Sequence, residues 1–208
     1  MNTDFRPSLY FEGKRRGEAV EAVKDYFSSY TGSWFEHFSD NTHPYAITER
    51  DILAVSMLSV HIPAGTTIWL LGEGKKQVSD LLRRIPVGQT IWDPDADLSR
   101  SGKPWELWEL IRTNTWPNNG GSTGMGETKI SKLLAAKRPD LFPIQDSVLR
   151  NALFGGKRVR DYWAPWRNFH LSDEGERLRS VAREVGADAG VDSAVPVLRI
   201  IDVVIWSA

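Results

Sequence analysis

Residues 124–150 read Gly124-Met125-Gly126-Glu127-Thr128-Lys129-Ile130-Ser131-Lys132-Leu133-Leu134-Ala135-Ala136-Lys137-Arg138-Pro139-Asp140-Leu141-Phe142-Pro143-Ile144-Gln145-Asp146-Ser147-Val148-Leu149-Arg150. Two glycines bracket Met125, and glycine permits the positive φ and close backbone approach of a tight turn. Ile130, Leu133 and Leu134 stand at i, i+3, i+4, which predicts an amphipathic helix from Glu127 to about Lys137. Pro139 and Pro143 end it and stiffen the return. Asp146 then precedes a second predicted helix, Ser147 to Phe154. Roughly eleven helical residues rise about 16 Å, and the return 138–145 can span up to about 29 Å. Asp146 can therefore come back level with the glycine turn. Exposed amides at the helix N-terminus there suit a phosphate. Aspartate before a helix is also an ordinary N-cap, and both readings stay open.

Turn, helix, return and aspartate together resemble the helix-hairpin-helix DNA glycosylases, the endonuclease III-like superfamily. Gly124-Met125-Gly126 is similar to the family's G-V-G turn. Thr128 falls where bifunctional members carry a Schiff-base lysine. Asp146 follows it by eighteen residues, the family's spacing to its catalytic aspartate. The resemblance implies an all-α, helix-hairpin-helix glycosylase-like fold of two small helical lobes with a base pocket between them. It implies double-stranded DNA as partner, held by Gly124, Met125, Gly126 and Thr128 with help from Lys129, Lys132 and Arg150, and Asp146 as the catalytic carboxylate. The sequence departs from the family pattern in three places. No Leu-Pro precedes the first glycine, Val148 and Arg150 come one residue early, and 116–123 (Trp116-Pro117-Asn118-Asn119-Gly120-Gly121-Ser122-Thr123) reads as an added loop. Thr128 cannot form a Schiff base, and Lys129 is turned about 100° around the helix. The activity implied is monofunctional, leaving an abasic site.

The chemistry gives the aspartate a purpose. Cleaving an N-glycosidic bond develops positive charge on the sugar. A fixed carboxylate stabilises that charge and can orient or deprotonate water. The base must first be flipped out of the stack. Tyr162, Trp163 and Trp166, at helical spacing, either stack on that base or belong to the core. Trp116 is a weaker candidate for a DNA contact.

Composition limits the alternatives. The 208 residues are 41% hydrophobic and 25% charged, ordinary for a globular protein. No cysteine is present, which excludes disulfides, thiol nucleophiles and a Cys-ligated iron–sulfur cluster. No cofactor and no metal is expected. Asp93, Asp95 and Asp97 alternate as in a calcium loop, but Leu98 and Pro104 occupy the glycine and glutamate positions. Turn formation explains these aspartates instead. The net charge of −1 hides a contrast: 129–167 holds nine basic residues (Lys129, Lys132, Lys137, Arg138, Arg150, Lys157, Arg158, Arg160, Arg167) and three acidic ones. Such a stripe suits phosphate contacts, or is a solvated face with surface pairs. There is no apolar run of transmembrane length and no signal-peptide pattern, so a cytoplasmic monomer, nucleoid-associated if bacterial, with no membrane partner is expected.

Residues 1–208 are expected to form a single compact helical domain, with the hairpin and catalytic-type segment at 104–154. Helices are predicted from Lys14 to Tyr30, from Thr48 through a mostly apolar run to Val60, from Pro63 to Leu71, from Lys75 to Ile85, from Pro104 to Arg112, around Tyr162–Phe169 and over 172–186. Ser8–Phe11 reads as a short strand or tucked arm, and His61 as a capping or core histidine. The β-branched run Val195–Trp206 permits a strand, but a buried helix suits its helical neighbours. The rival functions are a non-catalytic DNA-binding module and a helical protein-interaction domain.

Overall fold

The computed structural model describes residues 5–13, 15–117, 120, 122–157, 159 and 161–208. Lys14, Asn118, Asn119, Gly121, Arg158 and Arg160, named above, lie outside the described residues. Among the described residues the fold is all-helical, without strands. In chain order the helices are α1 (Arg15–Ser29), α2 (Phe35–Phe38), α3 (Glu49–Met57), α4 (Ala64–Leu71), α5 (Lys75–Leu82), α6 (Lys103–Thr113), α7 (Glu127–Ala135), α8 (Ser147–Phe154), α9 (Trp163–His170), α10 (Asp173–Asp188) and α11 (Val197–Ser207). Pro7–Tyr10 and Thr31–Trp34 are 3-10 turns.

Local chemistry sets the ends. At the start of α3 the Thr48 amide donates to Asp51 Oδ2 at 2.7 Å, satisfying a donor that the helix leaves orphaned. Gly72 stops α4, and Ser172 Oγ accepts from the Gly175 amide at the head of α10. Helix α7 ends two residues before Lys137 because the chain tightens there, the Lys137 amide reaching back only to Leu134 O. The run 195–206 is a helix. Pro196 occupies its N-cap, and Val197–Ile205 are buried on all sides. Ser8–Phe11 forms a 3-10 turn, not a strand. Leu53 and His61 are exposed, so α3 is less buried than its composition predicts and His61 belongs to no core.

The N- and C-terminal helices α1, α10 and α11 pack on one another, while α3 and α6 both pack on α7. Helix α8 rests on α11, and its Arg150 pairs with Glu127 of α7, which links the two groups. Buried side chains from all these helices form one apolar core.

Among the described residues of the basic stripe, Lys132, Lys137 and Arg138 are buried, whereas Lys157 is exposed. Lys137 forms a buried ion pair with Asp51 at 2.7 Å and donates to Asp40 O. Arg138 is buried, its guanidinium donating to the carbonyls of Leu82, Ile85, Pro44 and Lys137. Arg167 ties down the 91–94 loop through three carbonyls. These cations satisfy helix and loop ends that lie inside the protein. Asp93 and Asp97 accept from the amides of Thr90 and Ser99 as turn residues. Among the described residues no helix is long and apolar enough to cross a membrane.

Candidate active site

Gly124 has φ +66°, and a Cβ there would lie 3.0 Å from Pro63 Cγ. Both the turn and the approach to the 62–63 loop therefore require glycine. Gly126 is the N-cap of α7 with φ −89° and open space where a Cβ would stand. Met125 between them is buried and anchors the turn. Thr123 Oγ1 donates to Arg112 O at 2.8 Å and accepts from the Met125 amide at 3.2 Å, fastening the hairpin to the end of α6. Lys129 folds back and donates to Gly124 O at 3.0 Å. The head of α7 lies beside exposed Gly124 and Gly126, and its Lys129 and Ile130 amides both donate to Gly126 O at 3.1 Å.

The return is fastened as firmly. Leu141, Phe142 and Ile144 are buried. The Gln145 amide donates to Ser131 Oγ at 2.9 Å, and Gln145 Nε2 donates to Glu127 Oε2 at 3.1 Å. Arg150 pairs with Glu127 at 3.4 Å. These bonds place Asp146, half-buried, at the N-terminus of α8. Its Oδ1 accepts from the Leu149 amide at 3.0 Å, so Asp146 is an N-cap.

Asp146 opens onto a cleft of about 360 Å³ shared with Thr128, Lys132 and Arg150. The structure thus brings together four of the predicted site residues. Lys132 is buried, where a DNA-backbone contact would need an exposed ammonium. Being one turn from Thr128, it points inward and donates to Leu58 O at 3.0 Å. Burial pulls its ammonium below the usual lysine range. Gly124, Met125 and Gly126 border a different and larger cavity, of about 840 Å³.

The predicted base-pocket aromatics are elsewhere. Tyr162, Trp163 and Trp166 are core residues. Trp163 packs against Trp105, Trp108 and Phe142, and Trp166 against Phe5 and His170. The Tyr162 hydroxyl donates to Ile144 O at 3.0 Å, and burial raises its pKa. Tyr162 and Trp163 reach the larger cavity, whereas none of the three lines the Asp146 cleft.

The aromatics of that cleft are Tyr26 and Tyr30 of the α1 end and Trp206 of α11. The two tyrosine rings stack with centroids 5.4 Å apart, and Trp206 meets both edge-on. Tyr30 and Trp206 are exposed, so a planar guest can reach them. Behind them Arg199 donates to Glu36 Oε1 at 2.8 Å, to Gly32 O at 3.2 Å, to the Tyr26 hydroxyl and to Asp202 Oδ2. Burial raises the Glu36 and Asp202 carboxyls despite Arg199, Asp202 to about 6. Sequence reading missed this group. Its signal was present: Arg199 and Asp202 are the two charges inside the apolar run 195–206, three residues apart. Among the described residues no three His, Asp or Glu side chains are placed to hold a metal ion.

Fold and cleft define an all-helical protein with a carboxylate-bearing, aromatic-walled cleft formed by helices from its centre and both ends. The chain belongs to a family of unknown function, DUF6308, whose model matches residues 19–208. No curated protein and no solved structure matches it.

Proposed function

We propose that the chain is a monofunctional, helix-hairpin-helix type DNA glycosylase that excises a flipped, damaged or modified base and leaves an abasic site. The observation that carries this reading is the placement of Asp146: it follows the Gly124–Gly126 hairpin and opens, with Thr128, onto a cleft of nucleobase scale. The hairpin amides and Lys129 hold the DNA backbone. The base enters between Tyr30, Trp206 and the head of α8. Asp146 stabilises the sugar cation and orients water. The Asp146 N-cap favours a second reading, a DNA-binding module in which the carboxylate only starts a helix.

One experiment decides between them. Duplexes carrying alkylated, deaminated, oxidised or glycosylated bases are incubated with wild type and with Asp146→Asn, then treated with alkali. Asparagine is an equally good N-cap, so stability is retained. The glycosylase reading expects alkali-dependent cleavage that falls about 100- to 1000-fold in the variant. Salt-sensitive binding without cleavage of any duplex supports the binding module.

A further inference from the structure

Asp202 has three properties that its role in α11 does not explain. It is 6% exposed, it borders the same cleft as Asp146, and its Oδ1 is buried without a hydrogen-bond partner while Oδ2 accepts from Arg199. A buried carboxylate oxygen without a donor is costly when ionised, and protonation removes the charged part of that cost.

We propose that Asp202 is the general acid of the cleft, protonating the departing base while Asp146, on the same cleft, faces the sugar and stabilises its charge. This rests on the glycosylase reading and adds to it the class of base served: a neutral one, whose nitrogen leaves well only when protonated. As the C1′–N bond breaks, its electron pair stays on the base. The Asp202 proton passes to the base. Water adds to C1′ and gives its proton to Asp146, and solvent then restores both carboxyls. The groups facing Asp202 divide the labour. Arg199 on its own helix binds Oδ2. Lys132 of α7 favours its charged form, and Asp146 at the head of α8 disfavours it. Glu36 and Tyr26 engage the remaining face of Arg199. Tyr162, near both aspartates, keeps its proton. Burial outweighs the cations, so Asp202 titrates near 6 and is a competent acid close to neutrality.

The test is a pH–rate profile, pH 5 to 8, for wild type and Asp202→Asn. Its probes are duplexes containing hypoxanthine or uracil, which are neutral on the sugar and need a proton to leave as neutral bases, or 7-methylguanine, which is already cationic on the sugar and leaves neutral without one. On a neutral base, wild-type kcat/KM is expected to fall about tenfold per pH unit above 6, and the variant to lose that limb and about 100-fold in rate. On 7-methylguanine the variant's loss is expected to be at least tenfold smaller. Equal losses on both classes, a limb that survives in the variant, or excision by wild type of 7-methylguanine alone would overturn the role of Asp202 while the glycosylase stands. No excision of any base by wild type overturns the glycosylase reading, and the Asp202 role with it. If Asp202→Asn fails to fold, wild type decides: its alkaline limb must coincide with an aspartate carboxyl titration near 6 by ¹³C NMR, and without that coincidence the assignment fails.

Discussion

His170 shows how one buried residue couples the fold to pH. Its ring stacks on Trp166 at 5.8 Å and 15° and lies near Trp92 and Phe169. Both ring nitrogens are buried without a partner. Burial, then the neighbouring Arg179 charge, lowers its pKa to about 3. The unfolded chain, with a histidine near 6.5, therefore binds the proton first. The stability that neutral His170 allows is complete above pH 6.5 and is lost as pH falls toward 3. The slope is about 1.4 kcal/mol per pH unit below 6. His170→Phe fills the same aromatic site without titrating. Urea midpoints of the two proteins should converge above pH 7, and wild type should fall behind the variant from pH 6 to pH 4. Parallel curves would show that His170 is not held neutral. Asp202, raised to about 6, acts in the opposite sense over pH 4–6, which is why the comparison with the variant is the informative one. The local grammar around such residues was readable beforehand. Asp146 as cap and Gly124 as turn both follow from residue type. The state of His170 did not, because it depends on neighbours far away in sequence.

At the scale of an element, the hairpin is the part whose geometry carries the proposed DNA contact. Its two glycines are not equivalent. Gly124→Ala places a Cβ at φ +66° and 3.0 Å from Pro63. It should cost about 1–2 kcal/mol in stability and weaken DNA binding by shifting the α7 amides. Gly126→Ala meets open space at φ −89° and should fold as wild type, losing only the few tenths of a kcal/mol that separate glycine from alanine at an N-cap. Thermal melts and salt-titrated binding to an unmodified duplex check both. Equal effects of the two substitutions would remove the argument that Gly124 is the conformationally required residue. Periodicity alone identified α7, because Ile130, Leu133 and Leu134 are all fully buried. It also placed Lys132 off the apolar stripe and so outside. A cleft, unlike a core, admits a polar face, and Lys132 turns into one.

In the whole molecule, buried charge binds distant segments. Lys137 and Asp51 are 1% and 0% exposed at their side chains and connect the end of α7 to the start of α3. Lys137→Met leaves Asp51 uncompensated and should destabilise the protein by about 3–5 kcal/mol, read as a lowered urea midpoint. A loss under 1 kcal/mol would show that the Asp51 bonds to the amides of Asp40 and Thr48 suffice. The same scale separates what each level of description determines. The sequence by itself determined the helical class, most helix positions, the glycine turn and the capping place of Asp146 at the head of α8. Those follow from local periodicity and caps. It also determined that Tyr162, Trp163 and Trp166 share a helix face, but not which space that face meets. Tertiary structure alone decided that they enter the core and that Tyr26, Tyr30 and Trp206 wall the cleft. It turned Lys132, Lys137, Arg138 and Arg167 inward, and it set Asp202 beside Asp146, 56 residues away in sequence. The physical reason is that burial and electrostatics are properties of packed neighbours. Helices α1 and α11 come from opposite ends of the chain, and their packing on each other, with α8 on α11, buries Asp202 and so raises its carboxyl.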